Sequence, residues 1–354
     1  MGFRRVKGVL TVTILISFAI FVIVELTRSR SQERKDLFLH KKSYNFTINN
    51  PRACHTAGRL HQGVFLLVIV VTQPQNFQQR SLFRQTWGSR TQYKDEQIRT
   101  LFLAGRSPNF SVQFALKAEN DKYEDIIQAD FEDCYLNLTL KMVLALRWTV
   151  RYCPNALYIL KTDDDMIVRY DKLAEYLYNL PWKPMPRLYM GFLLVNKVPK
   201  RSKDHKWYTS YEEWPEEHFP TYISGPAYVM GRGAVKGLYS SALETPLFKF
   251  EDLFMGICAR KANLTLSHND EMPDRRMGDR YTYCLYDGFI TIHHAAVNLS
   301  LRYWEELHSA QRPICNITGW EALRIERQKE REKERKEKKT PNPLGHYLKW
   351  FSMF

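Results

Sequence analysis

The 354-residue sequence contains no Gly-x-x-x-x-Gly-Lys-[Ser/Thr], no Gly-x-Ser-x-Gly and no His-Glu-x-x-His. Those absences count against a P-loop NTPase, an α/β-hydrolase and a zincin protease. Cysteine is sparse, at positions 54, 134, 153, 258, 284 and 315, and no pair is spaced as Cys-x-x-Cys, which argues against a zinc site. Acidic residues are the minority: 38 Asp+Glu against 52 Lys+Arg leave a net charge of +14. A surplus of that size invites a nucleic-acid reading. Its placement removes the invitation, because residues 1–42 carry +6, residues 321–354 carry +4, and the body between them only +4. Hydrophobic residues at 44% and aromatics at 14% let that body bury a large core, so disorder and a small disulfide scaffold are excluded for it.

Gly8 to Val24 forms a 17-residue run without a charge, rich in Val, Ile, Leu and Phe and preceded by Arg4, Arg5 and Lys7. At about 1.5 Å per residue it lies at the short end of what spans a bilayer. The following Glu25-Leu26-Thr27-Arg28 holds no small-x-small cleavage site, which favours a retained transmembrane anchor over residues 8–26 rather than a cleaved signal peptide. Arg28, Arg30, Arg34 and Lys35 flank the far side, so basic residues alone do not orient the span. Six Asn-x-Ser/Thr sequons, at Asn45, Asn109, Asn137, Asn263, Asn298 and Asn316, all lie downstream of it. With the cysteines, they favour a luminal body in an oxidising compartment, although the sequence selects no disulfide pairing. The organisation read from these features is a cytoplasmic tail (1–7), the anchor (8–26), a luminal stem (27–60), a catalytic domain (61–320) and a charged tail (321–354).

The body opens on Val64 to Val71, a continuous apolar, β-branched run that reads as a strand buried on both faces, the kind found in parallel sheets. A helix follows over Phe77–Trp87, a second strand over Ile98–Gly105, a helix over Leu138–Arg151 and a third strand over Ala156–Leu160. This alternation predicts an α/β fold with a mostly parallel, Rossmann-like sheet flanked by helices, and ligands at the carboxyl ends of its strands. Tyr- and Trp-rich segments occupy 189–230, and a late strand is expected near Phe289–His294. Residues 321–339 are dominated by Glu, Arg, Lys and Gln, as in a solvated helix or a disordered tail.

The third strand runs directly into Asp163-Asp164-Asp165. Three adjacent carboxylates repel one another, and a divalent cation such as Mg2+ or Mn2+ removes that cost while binding substrate phosphates. A solvated acidic turn is the alternative. Glu251-Asp252 is a second pair, in apolar surroundings, suited to a general base with a raised pKa or to a helix N-terminus. His293-His294 ends the late strand and offers imidazole to a metal. Arg80 and Arg84, four apart on one helix face, could pair with a nucleotide phosphate or with neighbouring carboxylates. Trp207, Tyr208, Tyr211 and Trp214 suit stacking on sugars or bases, or core packing.

Taken together, Phe83-Arg84-Gln85-Thr86-Trp87-Gly88, Asp125 to Phe131, Tyr135 to Lys141, Lys161 to Asp165, Phe219-Pro220 through Ser224-Gly225, and Glu251-Asp252 through Gly256 resemble, in order and spacing, the β-1,3-galactosyltransferase family. That family includes β-1,3-N-acetylglucosaminyltransferases and, more distantly, the Fringe enzymes. The resemblance covers residues 60–305 and implies a Golgi single-pass type II membrane protein of GT-A fold. It further implies an inverting, Mn2+-dependent glycosyltransferase that uses a UDP-sugar and a glycan acceptor on a glycoprotein or glycolipid, with no nucleic-acid partner. UDP-galactose is the donor implied first; transfer of N-acetylglucosamine or N-acetylgalactosamine is the alternative, and a catalytically inactive luminal sugar-binding protein is the alternative of another class. The roles implied are metal ligation by Asp165 and His293, contacts to the donor nucleotide from Asp163, Asp164, Arg80 and Arg84, general-base catalysis by Asp252, and acceptor contacts from Glu251 and Trp207. Asn45, Asn109, Asn263, Asn298 and Asn316 are the glycosylation candidates, whereas Asn137 lies inside the family's helix motif. Two departures stand out. Ala227 replaces the second glycine of Ser-Gly-x-Gly-Tyr, where a glycine backbone is expected. Cys134 replaces an apolar residue and is the candidate for an unpaired thiol.

Overall fold

A computed structural model describes residues 44–55, 63–181, 185–274, 281–293 and 297–339. The expected anchor, the cytoplasmic tail, most of the stem and His294 lie outside them, and among the described residues no helix is long and apolar enough to cross a membrane. Strand β1 (Phe46–Ile48) precedes β2 (Leu66–Val71), α1 (Phe77–Gln85), β3 (Gln92–Tyr93), β4 (Glu96–Arg106), α2 (Phe110–Tyr123), β5 (Ile126–Glu132) and α3 (Leu138–Tyr152). Next come β6 (Tyr158–Asp163), β7 (Met166–Val168), α4 (Tyr170–Tyr178), β8 (Tyr189–Leu194), β9 (Tyr222–Gly231), α5 (Arg232–Ala242) and α6 (Glu251–Lys261). The last are β10 (Leu266–His268), α7 (Tyr283–Asp287), β11 (Thr291–His293), α8 (Val297–His308) and α9 (Gly319–Lys339).

The main sheet runs β1-β5-β4-β2-β6-β9-β8-β10, with β3 on the side of β4. Its centre, β5-β4-β2-β6, is parallel, as the apolar runs require. In β2, Leu66, Val68 and Val70 face one core cluster while Leu67, Ile69 and Val71 face the other, so the period-2 alternation of a strand fills both sides. The fold is α/β, but the sheet is mixed rather than mostly parallel. Strand β9 pairs antiparallel with both β6 and β8, and β1 antiparallel with β5. The aromatic-rich stretch from 189 to 230 supplies two of these strands, whose side chains fit a pleated surface without the continuous β-branched signal of β2.

Strand β11 does not join the main sheet. It pairs antiparallel with β7 in a separate two-stranded ladder, placing His293 opposite Met166. Helix α9 is a helix rather than a disordered tail. Its first turns dock on the body: Leu323 is buried, the Trp320 ring meets Phe289 at 5.3 Å, and Trp320 Nε1 donates to the Asp270 carbonyl at 2.8 Å. Disulfides join Cys54 to Cys153 and Cys284 to Cys315, leaving Cys134 and Cys258 as free thiols.

Candidate active site

The carboxyl ends of β2 and β6 lie side by side, with Val71 in register with Asp163. The chain then turns through Asp164 and Asp165 into β7, and each of the three carboxylates meets different surroundings. Asp163 Oδ1 accepts from Lys161 Nζ at 2.7 Å. Asp164 Oδ2 accepts from Thr72 Oγ1 at 2.5 Å and from Asn76 Nδ2 at 2.8 Å. Burial raises the Asp164 carboxyl above the ordinary range, and these two donors oppose the rise. Asp165 Oδ2 lies 4.0 Å from His293 Nε2, because the β7–β11 ladder carries the histidine to the same end of the hairpin. Sequence order alone does not bring these two together; the pairing does.

Glu251 and Asp252 open α6, where two carboxylates complement the helix dipole. The helix-start reading of the pair therefore holds. Gly256 lets α6 lie against β9, since a Cβ there would come within 2.4 Å of Tyr222 Cβ. The two side chains then diverge. Glu251 is buried at 3% exposure, its Oε1 accepting from Tyr228 Oη at 2.5 Å and its Oε2 lying 3.8 Å from Lys161 Nζ. Burial pushes the Glu251 carboxyl up to about 7, Lys161 opposing and Asp252 adding to the rise. The side chain taken from the sequence as an acceptor contact thus faces inward, toward Tyr228 and Lys161. Asp252 is half-buried, accepts from its neighbour's Leu253 N–H at 2.8 Å, and is also raised, by burial first with that hydrogen bond opposing. Gly225 faces it; a Cβ at 225 would sit 3.5 Å from Asp252 Oδ2 and 3.6 Å from Glu251 Oε2, filling the space before the carboxylate.

The arginines take the other option that the sequence left open. Arg80 is wholly buried and donates to Glu119, to the carbonyls of Gln73 and Pro74 and to Thr72 Oγ1. Arg84 bridges Glu119 at 2.7 Å and Asp125 at 2.8 Å and lies over the Tyr123 ring at 4.0 Å. Their partners are carboxylates of α2 and of the turn before β5, so they join α1 to α2 and to that turn rather than face a phosphate. Arg80 reaches the acidic hairpin only through Thr72.

Of the four aromatics, Trp214 packs against Phe219 and Phe248, while Tyr211 is covered by Arg201 at 4.0 Å. Trp207 is 51% exposed and neighbours Tyr135, itself 48% exposed. The charges of Asp252, Asp163 and Glu251 all bear on the Tyr135 hydroxyl, which places this pair beside the carboxylates. Asn45, Asn109, Asn263, Asn298 and Asn316 are exposed, while Asn137 is half-buried and donates to the Glu132 carbonyl at 2.8 Å. Ala227 lies in β9 opposite Thr162 and is not among the residues of positive φ, so the position does not demand glycine.

Residues 78–270 match the Galactosyl_T family, described as galactosyltransferase. Human β-1,3-galactosyltransferase 5 is 31% identical over 283 residues, covering 80% of this chain and 89% of that protein. Mouse β-1,3-galactosyltransferase 1 is 31% identical over 277 residues, covering 78% of this chain and 82% of that protein. The chain belongs to the β-1,3-galactosyltransferase family. It is therefore a glycosyltransferase. Among solved structures, galactosyltransferase LgtC in complex with donor and acceptor sugar analogues is similar at a TM-score of 0.37 and 10% identity, covering 68% of this chain and 94% of that one.

Several residues around the candidate site are not singled out by the sequence: Thr72 and Asn76 on Asp164, Tyr228 on Glu251, and Tyr135 beside Trp207. Thr72 had a usable signal, since the residue that follows a buried parallel strand stands at the ligand edge. The donor set also bears on a divalent ion. Among the described residues no group of three or more His, Cys, Asp or Glu is placed to hold a metal. The Asp165–His293 pair, partly open to solvent, offers one oxygen and one nitrogen. Two protein ligands fit an ion of the Mg2+ or Mn2+ type, which keeps its other positions for waters and substrate phosphates.

Proposed function

We propose that this transferase is a Golgi single-pass type II enzyme of GT-A fold that moves a sugar from a UDP-sugar to the C3 hydroxyl of a glycan on a glycoprotein or glycolipid, with inversion. UDP-galactose is the donor proposed, on the support of the galactosyltransferases it is similar to. The observation that carries the reading is the half-buried Asp252 at the start of α6, set beside Gly225 with its carboxyl raised.

Mn2+, held by Asp165 and His293, would supply Lewis-acid stabilisation of the departing diphosphate. The chain's own groups do the rest. Thr72 and Asn76 fix Asp164, and with it the turn that presents Asp165. Asp252 accepts the proton of the attacking hydroxyl, whose oxygen forms the new bond to the anomeric carbon as the bond to the UDP oxygen breaks and that oxygen keeps the electron pair. A raised carboxyl is the better base near neutral pH. Trp207 and Tyr135 offer aromatic faces to the acceptor sugar. Incubating the protein with UDP-galactose, UDP-N-acetylglucosamine and UDP-N-acetylgalactosamine and a panel of small glycan acceptors tests the reading. Galactose transfer with β-1,3 linkage is expected; transfer of either other sugar alone replaces the donor, and metal-dependent UDP binding without transfer to any acceptor replaces the enzyme by a binding protein.

A further inference from the structure

Lys161 is a buried lysine that the proposed chemistry does not use. It lies in β6, at 1% side-chain exposure, two residues before the end of the strand. Its ammonium donates to Asp163 Oδ1 at 2.7 Å and to the Gly225 carbonyl at 2.5 Å, and stands 3.8 Å from Glu251 Oε2. The ammonium thus meets three segments, by hydrogen bonds to the acidic hairpin and to the β9 segment in front of Asp252, and by an ion pair to the start of α6. Burying an ammonium costs several kcal/mol unless it is paired, so a purely structural position would be filled as well by an apolar side chain. The Tyr228 ring of β9 lies 5.7 Å from Nζ, and Tyr189 of β8 packs on that ring at 5.4 Å.

We propose that Lys161 is a positioning residue that ties the donor half of the site, through Asp163, to the acceptor half, through Gly225 and Glu251, so that the geometry of one is set by the other. The inference rests on the transfer reading above. Asp163 and Asp252, the outer carboxylates of the two halves, both act on this one buried charge; Glu251, Tyr228, Tyr189 and Tyr135 are further titratable groups around these carboxylates. The charge also acts on the base: Lys161 holds down the Asp252 carboxyl against its burial. Removing the charge therefore lets Asp252 rise further and moves the acid limb of activity to higher pH.

Lys161→Met, of similar length and without charge, is the direct test. UDP affinity in MnCl2, kcat, KM for the sugar acceptor and the pH profile of kcat/KM are measured for it and the wild-type chain. Expected are about a fivefold weaker UDP affinity, about a tenfold or greater fall in kcat with a smaller change in acceptor KM, and an acid limb displaced upward. Should Lys161→Met fail to fold, Glu251→Gln decides. Glu251 is buried and meets Asp163 across Lys161, and on this proposal the change weakens UDP binding about twofold or more by loosening Lys161. A folded variant with wild-type UDP affinity, kcat and acid limb overturns the coupling and leaves the transfer reading standing. A wild-type chain that neither binds UDP nor transfers sugar overturns the transfer reading and the coupling built on it.

Discussion

Asp165 and His293 meet across 4.0 Å although 128 residues separate them in sequence, because β11 leaves the main sheet and pairs with β7, the strand that the acidic turn starts. Two short strands thus define the one imidazole–carboxylate pair proposed to hold an ion. Asp165→Asn and His293→Ala should each weaken metal-dependent UDP binding by about tenfold or more and leave metal-free affinity within about twofold. Calorimetric titration of UDP with and without MnCl2 checks this. Loss of metal dependence in neither variant removes the pair from the metal site.

The Asp252 carboxyl is the half-buried member of the second pair, and the proton-transfer role is proposed for it rather than for the buried Glu251. Asp252→Asn should lower kcat by about 10²–10⁴-fold while UDP affinity holds, as expected for loss of a general base. Because burial raises this carboxyl, the wild-type kcat/KM should rise with pH through a limb above that of a free aspartate. Rapid transfer by the asparagine variant, measured with radiolabelled donor, would sink the assignment.

Strands β2, β4 and β6 and the two acidic clusters were legible because their signals are local: a six-residue apolar run, three aspartates at a strand end, a carboxylate pair before an apolar helix. Other elements carried no such signal. Helix α2 buries only Leu116, so its sequence shows no apolar stripe to read. Strand β5 was overlooked as a strand, and with it the carboxylates that neighbour it. Arg80 and Arg84 look the same in sequence whether they face phosphate or carboxylate. Glu119 and Asp125, which settle the matter, stand dozens of residues away. Likewise Glu251 and Asp252 are adjacent and chemically alike. Only the docking of α6 on β9 through Gly256 decides which one turns toward Tyr228.

Glu251 gives stability a pH dependence of definite sign. Its carboxyl is raised from 4.5 to about 7 in the folded chain, so the native state holds this proton more tightly than the unfolded state does. The contribution is complete below about 4.5 and is lost as pH rises through about 7. Urea unfolding across that window should show the wild-type chain losing stability with rising pH relative to Glu251→Gln. Parallel curves for the two would mean that Glu251 is ionised throughout.

Cys54 and Cys153 are joined across a separation of 99 residues, Cys284 and Cys315 across 31. The longer loop constrains the unfolded chain more, and removal of either bridge should cost about 2–5 kcal/mol, the Cys54–Cys153 bridge the more. Urea midpoints of Cys54→Ala/Cys153→Ala and Cys284→Ala/Cys315→Ala, compared with the wild-type chain, check the size and the order.

Arg84 separates a structural from a nucleotide-binding role. It sits between Glu119 and Asp125 at 15% exposure, and both of those carboxylates lose a partner when it is removed. Arg84→Met should therefore destabilise the fold by about 3 kcal/mol, as for one partner taken from a largely buried ion pair. The folded variant should bind UDP in MnCl2 within about twofold of the wild-type affinity, because no donor hydrogen is withdrawn from the acidic hairpin. Arg80 is the poorer probe, since it also supports Thr72 and so acts on Asp164 at one remove. A stable Arg84→Met protein with UDP affinity reduced tenfold would return the arginine to the donor site and require the α1–α2 contact to open when nucleotide binds.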